Sequence, residues 1–147
     1  MAQAIRAAVF GLGSMGGGMA RSLLRAGMAV TGFDPATAAV AAFVTDGGTG
    51  ADNARAAAAG ADIAVSVVVN AAQTEALLFG PEGIADLLPE GAVFVSCATM
   101  DPDVARGLAT RRCRPRRDRG PHGARLRFAR RLRKGAPGAR CHGGQGL

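Results

Sequence analysis

"VFGLGSMGGGMARSLLRAG", residues Val9 to Gly27, places six glycines in nineteen residues. A glycine inside a helix costs ~1 kcal/mol relative to alanine, so this density needs a reason. Just before it, Ala4–Phe10 (AIRAAVF) is a short, mostly apolar run ending at glycine, which predicts a buried strand. Just after it, Met15, Met19, Leu23 and Ala26 recur at spacings of three and four. That spacing predicts an amphipathic helix with Gly27 as its stop. Gly11, Gly13 and Gly16 thus spell G-x-G-x-x-G across a strand–turn–helix junction.

Each of these three glycines has a physical task in such a junction. The first permits the tight turn. The second lets backbone approach a pyrophosphate with no Cβ between them. The third lets the helix pack close to the strand. The free N–H groups of the helix start, and its dipole, then hold the phosphates. Gly17 and Gly18 have no task in this scheme. Asp34 closes the next apolar run, 23 residues after Gly11. A carboxylate there can accept hydrogen bonds from the adenosine ribose, and it repels a 2′-phosphate, which favours NAD over NADP. No arginine lies between Pro35 and Thr45 to receive that phosphate. Asp34 can also be read as a turn residue before Pro35.

Farther along, Met28–Phe33 (MAVTGF) reads as a second strand and Ala36–Val44 as a helix ended by "DGG". Asp52 or Asn53 caps an alanine-rich helix reaching Ala59. Ile63–Val69 (IAVSVVV) is β-branched and unbroken, as a strand covered on both faces requires. Ala72–Leu78 reads as a helix, Pro81–Leu87 as a turn and short helix, and Ala92–Cys97 (AVFVSC) as another buried strand. Pro102 suits the start of a last helix over Asp103–Ala109. No internal repeat interrupts this alternation. It predicts an α/β fold, a doubly wound parallel sheet, incomplete at its C-terminal end because the alternation stops at Thr110.

Charge divides the chain at the same place. Residues 1–110 hold five Arg, no Lys and ten Asp or Glu, a net −5, whereas residues 111–147 carry a net +12. The overall +7 therefore belongs to the last quarter. That quarter has few large apolar residues and dense like charge, so it is not expected to build a core. Cys97, Cys113 and Cys141 are an odd number without framework spacing, which suits a reducing compartment. Glycines and a strand-like start argue against a signal peptide in Met1–Ala20. No apolar run reaches the ~20 residues of a spanning helix, so a cytoplasmic protein with no membrane partner is expected.

The stretch Gly11–Gly27, G-L-G-S-M-G-x-x-M-A-x-x-L-x-x-A-G, resembles the opening of the 3-hydroxyisobutyrate (β-hydroxyacid) dehydrogenase family, relatives of 6-phosphogluconate dehydrogenase. "GFDP" at Gly32–Pro35 resembles the family's second-strand acid. "VVVNAAQTEALLFG" at Val67–Gly80 is similar to the branch that includes L-threonate dehydrogenase. "VSCATMDP" at Val95–Pro102 resembles the family's S-T-x-x-P substrate loop, with Ala98 in place of the serine and Thr99 and Pro102 kept. The resemblance covers roughly residues 4–110. It implies a Rossmann-type NAD-binding domain and hydride transfer between a 3-hydroxy acid and nicotinamide. It assigns Gly11, Leu12, Gly13, Ser14, Met15 and Gly16 to the pyrophosphate and Asp34 to the ribose. Val69 and Asn70 would flank a ribose, and Thr99 would lie near the nicotinamide, with Ala98 and Thr99 toward substrate. Val69 reads equally well as strand core, Asn70 as a strand-end turn, and Thr99 as a loop residue. Cys97 reads as a small buried hydrophobe.

Beyond Thr110 the resemblance fails. Relatives continue with an acid-x-P-V-S-G-G-like loop, a long helix with a catalytic lysine, and a helical domain that dimerises them. Here the sole lysine is Lys134, in "RLRKGAPG", a different setting. No catalytic residue is therefore assigned, and cofactor binding without turnover is expected. The basic segment has three readings. It can be a nucleic-acid arm, making the chain a non-catalytic dinucleotide module, although Phe128 is its one aromatic. Cys113, His122, Cys141 and His142 can be proposed as zinc ligands, but their spacing matches no familiar site, and no metal is expected. Finally, the segment can be out of frame. Shifted by one base, codons for Asp118–His122 can encode Ile-Glu-Ala-Pro-Met. The frameshift is the favoured expectation.

Overall fold

Residues 3–111 and the backbone of residues 127–130 are described in the computed structural model. The strands are β1 (Arg6–Phe10), β2 (Ala29–Phe33), β3 (Thr49–Gly50), β4 (Ile63–Ser66), β5 (Val93–Ser96) and β6 (Arg127–Arg130). They form one sheet in the order β3-β2-β1-β4-β5-β6, and every pairing is parallel. Between them run α1 (Ser14–Arg25), α2 (Thr37–Thr45), α3 (Ala54–Ala58), α4 (Ala71–Phe79) and α5 (Pro102–Thr110). The expected doubly wound α/β architecture is the one observed.

β1 lies between β2 and β4, and its composition follows from that place. Ala7 and Val9 enter one core cluster with Ala20 of α1 and Phe43 of α2. Ala8 and Phe10 enter the other, with Ala57 and Ala58 of α3 and Leu78 of α4. A strand covered on both faces has no polar alternation to show, hence the near-continuous apolar run. Strand order reverses at β1 and β4, which opens a crevice at the C-terminal ends of the strands.

Caps set several helix starts. Asn53, rather than Asp52, caps α3, its Oδ1 accepting from the Ala56 N–H at 2.8 Å. Asn70 caps α4 and Asp101 caps α5, with Pro102 in the first turn of α5.

Five expectations need correction. Of the apolar residues that mark α1 as amphipathic, Met19 and Leu23 pack against the first cluster but Met15 and Ala26 are exposed. Gly16, Gly17 and Ala20 are buried, Met15 is 58% exposed, and Leu23 and Leu24 pack at the margin. Helix and strand backbones approach so closely that small residues occupy the contact. Second, β4 stops at Ser66 instead of reaching Val69. The Val67 N–H still donates to the Phe10 carbonyl at 2.8 Å, after which the chain leaves the sheet and Val69 is 80% exposed.

Third, residues 81–87 contain no helix. The N–H groups of Ile84 and Ala85 donate to the Leu77 and Leu78 carbonyls at 3.0 and 3.1 Å, so these donors serve the end of α4 and not a new helix. Ile84, Ala85 and Leu88 are buried there as a plug on the second cluster. Arg55 of α3 fastens the plug, donating to the Gly83 carbonyl and to Asp86 at 3.1 Å. The hydrogen bond that Arg55 donates to Asp86 holds the Arg55 pKa above its ordinary value, against an opposing effect of burial.

Fourth, β3 was not anticipated. It is two residues long in a glycine-rich turn, too short to carry a pattern. Fifth, a strand lies beyond Thr110: Arg127–Arg130 pairs with β5 in the register Val93↔Arg127 to Ser96↔Arg130. Its Arg-rich composition hid it. The zinc reading (Cys113, His122, Cys141, His142), Lys134 and the shifted-frame segment 118–122 lie outside the described residues.

Candidate cofactor site

The turn after β1 is bent by Gly11, whose φ is +92°, a conformation that L side chains rarely adopt. Its N–H donates to the Phe33 carbonyl of β2 at 2.9 Å. A Cβ on Gly11 would stand 2.5 Å from the Val67 carbonyl oxygen. The turn is therefore pressed between β2 and the chain leaving β4. A Cβ on Gly16 would stand 1.8 Å from the Gly11 carbonyl oxygen, so α1 lies directly against the turn. Gly17 also acquires a reason here: it is buried, and its Cβ position is 3.0 Å from the Leu12 carbonyl oxygen.

Gly13 differs from these. Nothing lies within 4 Å of its Cβ position, so it faces open space. It is the N-cap residue of α1 and supplies no capping side chain, and the first turn carries no acid. The first helical bond of the turn runs from the Gly17 N–H to the Gly13 carbonyl at 2.8 Å. The N–H groups of Ser14, Met15 and Gly16 precede it and have no intrahelical acceptor. Three donors and the positive end of the helix dipole therefore meet an open approach, which suits a phosphate.

Gly18 has no contact within 4 Å of its Cβ position and no positive φ. Nothing in the structure explains it. Gly18→Ala should raise stability by up to ~1 kcal/mol, read as a higher melting temperature with cofactor affinity unchanged.

Asp34, at the end of β2, does more than terminate a strand. Its Oδ2 accepts from the Leu12 N–H at 2.7 Å and its Oδ1 from the Ala36 N–H at 2.8 Å. Each carboxylate oxygen keeps a second lone pair for a ribose hydroxyl. Leu12 therefore has its amide turned to Asp34 and its side chain buried in the core, 6% exposed.

The remaining candidates lie along the same edge of the sheet. Asn70 Oδ1 accepts from the Gln73 N–H at 2.9 Å, and Gln73 Oε1 accepts from the Val69 N–H at 2.9 Å. This reciprocal cap orients the exit from β4 and leaves the Val69 side chain outward. The core reading of Val69 is thereby excluded. Ala98 is half-buried and Thr99 exposed in the connection from β5 to α5. Cys97 is half-buried rather than buried, with its Sγ 3.9 Å from Met19 Sδ. Sequence reasoning missed Val67 and Gln73. Val67 acts through its backbone carbonyl, for which no residue type gives a signal. Among the described residues there is no cluster of three His, Cys, Asp or Glu for a metal, and no helix long and apolar enough to cross a membrane.

The turn, the open Gly13 approach, the uncapped helix start and the Asp34 carboxylate fit a dinucleotide. Residues 6–115 match the model of a family described as the NAD binding domain of 6-phosphogluconate dehydrogenase. The chain belongs to this family. It is an NAD-binding domain of the 3-hydroxyacid dehydrogenase type. It is 39% identical over 103 residues to the L-threonate dehydrogenase of Cupriavidus necator, covering 70% of this chain and 35% of that protein. It is 36% identical over 102 residues to the 3-hydroxyisobutyrate dehydrogenase of Pseudomonas aeruginosa, covering 69% of this chain and 34% of that one. A crystal structure of a 3-hydroxyisobutyrate dehydrogenase from Salmonella typhimurium superposes with a TM-score of 0.68 at 38% identity, over 71% of this chain and 36% of that one. The NAD-binding domain here thus spans about a third of the length of these curated relatives. Among similar structures are imine reductases from Myxococcus stipitatus, one with NADP+ and a variant with NAD+.

Proposed function

We propose that this chain binds NAD in preference to NADP. The supporting observation is Asp34, whose two oxygens are held by the Leu12 and Ala36 amides at the end of β2. A fixed carboxylate opposes a 2′-phosphate, and no arginine between residues 35 and 45 offsets it. Gly11, Gly13 and the amides of Ser14, Met15 and Gly16 receive the pyrophosphate. Val69, Asn70 and Thr99 border the ribose and nicotinamide side. Titration of the protein with NADH and NADPH should give at least a tenfold preference for NADH, a difference of about 1.4 kcal/mol. Equal affinities would defeat the assignment.

The parent reaction is hydride transfer between a 3-hydroxy acid and NAD, with sugar acids of the threonate kind as the favoured substrates. When bound, the nicotinamide accepts the hydride. The hydroxyl proton must go to a positioned base. No lysine occurs before Lys134 and no histidine before His122, so the described site has neither group to offer. We expect the purified 147-residue chain to form no NADH from L-threonate or 3-hydroxyisobutyrate, followed at the NADH absorbance band. Measurable turnover would overturn this.

The basic segment is assigned to a shifted reading frame. Its support is the abrupt switch from net −5 to net +12 beyond residue 110, close to where the family match ends at residue 115. Resequencing the gene across codons 105–119 should find a one-base discrepancy that restores an acid-x-P motif and a later lysine. An unchanged sequence would make the segment genuine. Salt-dependent duplex binding, lost on deletion of residues 111–147, would then identify it as a nucleic-acid arm.

A further inference from the structure

Two successive amides tie the glycine loop to the end of β2. The Gly11 N–H donates to the Phe33 carbonyl at 2.9 Å, and the Leu12 N–H donates to Asp34 Oδ2 at 2.7 Å. The first bond is backbone to backbone and depends on no side chain. The second depends on one side chain, 22 residues away in sequence. It is short and charge-assisted, the stronger kind of hydrogen bond.

Leu12 is fastened from its other side as well. Its side chain is 6% exposed and lies in the cluster with Phe43 and Val30. Its Cδ1 is 3.0 Å from where a Cβ on Gly32 would stand, so no space remains to rotate that way. With the side chain in the core and the amide bonded to Asp34, the Gly11–Leu12 peptide and the Leu12 Cα are held in place immediately before Gly13. Gly13 is where the open approach begins. The second oxygen of Asp34 is held by the Ala36 N–H at 2.8 Å, so the carboxylate is itself immobile.

We propose that Asp34 is a positioning residue of the glycine loop, holding the Leu12 amide inward and so fixing the path of Gly13–Gly16 toward the pyrophosphate. This deepens the dinucleotide reading and rests on it for its binding arm. The consequence concerns specificity. Asp34 acts on phosphate binding as well as on the ribose. Replacing it with a side chain that offers no acceptor therefore weakens both dinucleotides, and a cofactor switch has to keep an acceptor oxygen at position 34.

The test compares the parent protein with Asp34→Ala and Asp34→Asn. The first arm uses no ligand. Amide hydrogen exchange at Leu12 should accelerate roughly tenfold in Asp34→Ala, as expected for loss of one strong hydrogen bond. Exchange at Val9 and Val65, in the centre of the sheet, should stay unchanged. The second arm uses an NAD analogue whose adenosine ribose lacks both the 2′- and 3′-hydroxyls. A residue that only grips those hydroxyls would leave analogue affinity equal in parent and variants. Positioning predicts that Asp34→Ala binds the analogue roughly tenfold more weakly than the parent does. Asp34→Asn, which keeps one acceptor oxygen, should fall between them. Unchanged Leu12 exchange, or equal analogue affinity, overturns the proposal. If Asp34→Ala fails to fold by circular dichroism, Asp34→Asn carries both arms. If the parent binds neither NAD nor the analogue, the dinucleotide reading fails, and the exchange arm still decides the positioning role.

Discussion

Gly16→Ala should abolish dinucleotide binding and remove much of the stability of the domain. The added Cβ would lie 1.8 Å from the Gly11 carbonyl oxygen, far inside any atomic contact. Gly11 cannot retreat. Its own Cβ position is already 2.5 Å from the Val67 carbonyl oxygen, and its N–H is bonded to Phe33. The helix would have to lift from the sheet, withdrawing Ala20, which is fully buried. Overpacking of a tight contact costs roughly 1–3 kcal/mol, and more when the obstacle is backbone. NADH fluorescence titration should show no saturable binding, and the melting temperature should fall. Binding within a few-fold of the parent would show that the turn and helix are not in contact as described. Gly18→Ala, two positions on in the same helix, is the matched control because its Cβ meets nothing.

Phe94→Ala should have the largest effect on stability of any substitution outside the site. Phe94 is fully buried in β5, in the cluster that joins Ala64, Leu78, Ile84 and Leu88. Truncating such a ring costs roughly 3–5 kcal/mol, by lost transfer free energy and by the cavity left behind. Domains of this size have only about 5–15 kcal/mol in total. A denaturant titration should show the midpoint falling with the slope unchanged. A loss below about 1 kcal/mol would mean that the plug of residues 84–88 collapses into the vacancy.

The fold was most legible where one residue type had one physical explanation. Gly11, Gly13 and Gly16 announced a strand–turn–helix junction, and the structure separates their tasks: a turn, an open approach, a contact. Asp34 was placed correctly at the end of β2, but its bonds to Leu12 and Ala36 could not be read. They depend on the register between β1 and β2, a long-range property. The spacing of Met19 and Leu23 marks the inward side of α1, but it does not show that Gly16, Gly17 and Ala20 are its most buried residues. Where backbones nearly touch, glycine and alanine are buried and methionine is displaced to the rim. The helix expected at residues 81–87 failed for a related reason. Its residues were apolar enough, yet their donors were already committed to the end of α4. β3 and β6 were invisible because the first is two residues long and the second lies in arginine-rich sequence.

The Val67 carbonyl that backs Gly11 also sets an order of events during synthesis. The nucleotide loop precedes β4 in the chain, and it leaves the ribosome first. Its supporting wall arrives only with the chain that follows β4. A nascent polypeptide that ends before Val67 carries the whole G-x-G-x-x-G signature and has nothing for it to rest against. One that extends past Val67 has every backbone contact of the turn, whatever follows downstream. Ribosome-bound chains stalled with Val67 still inside the exit tunnel, or clear of it, would differ in their capacity to hold a dinucleotide.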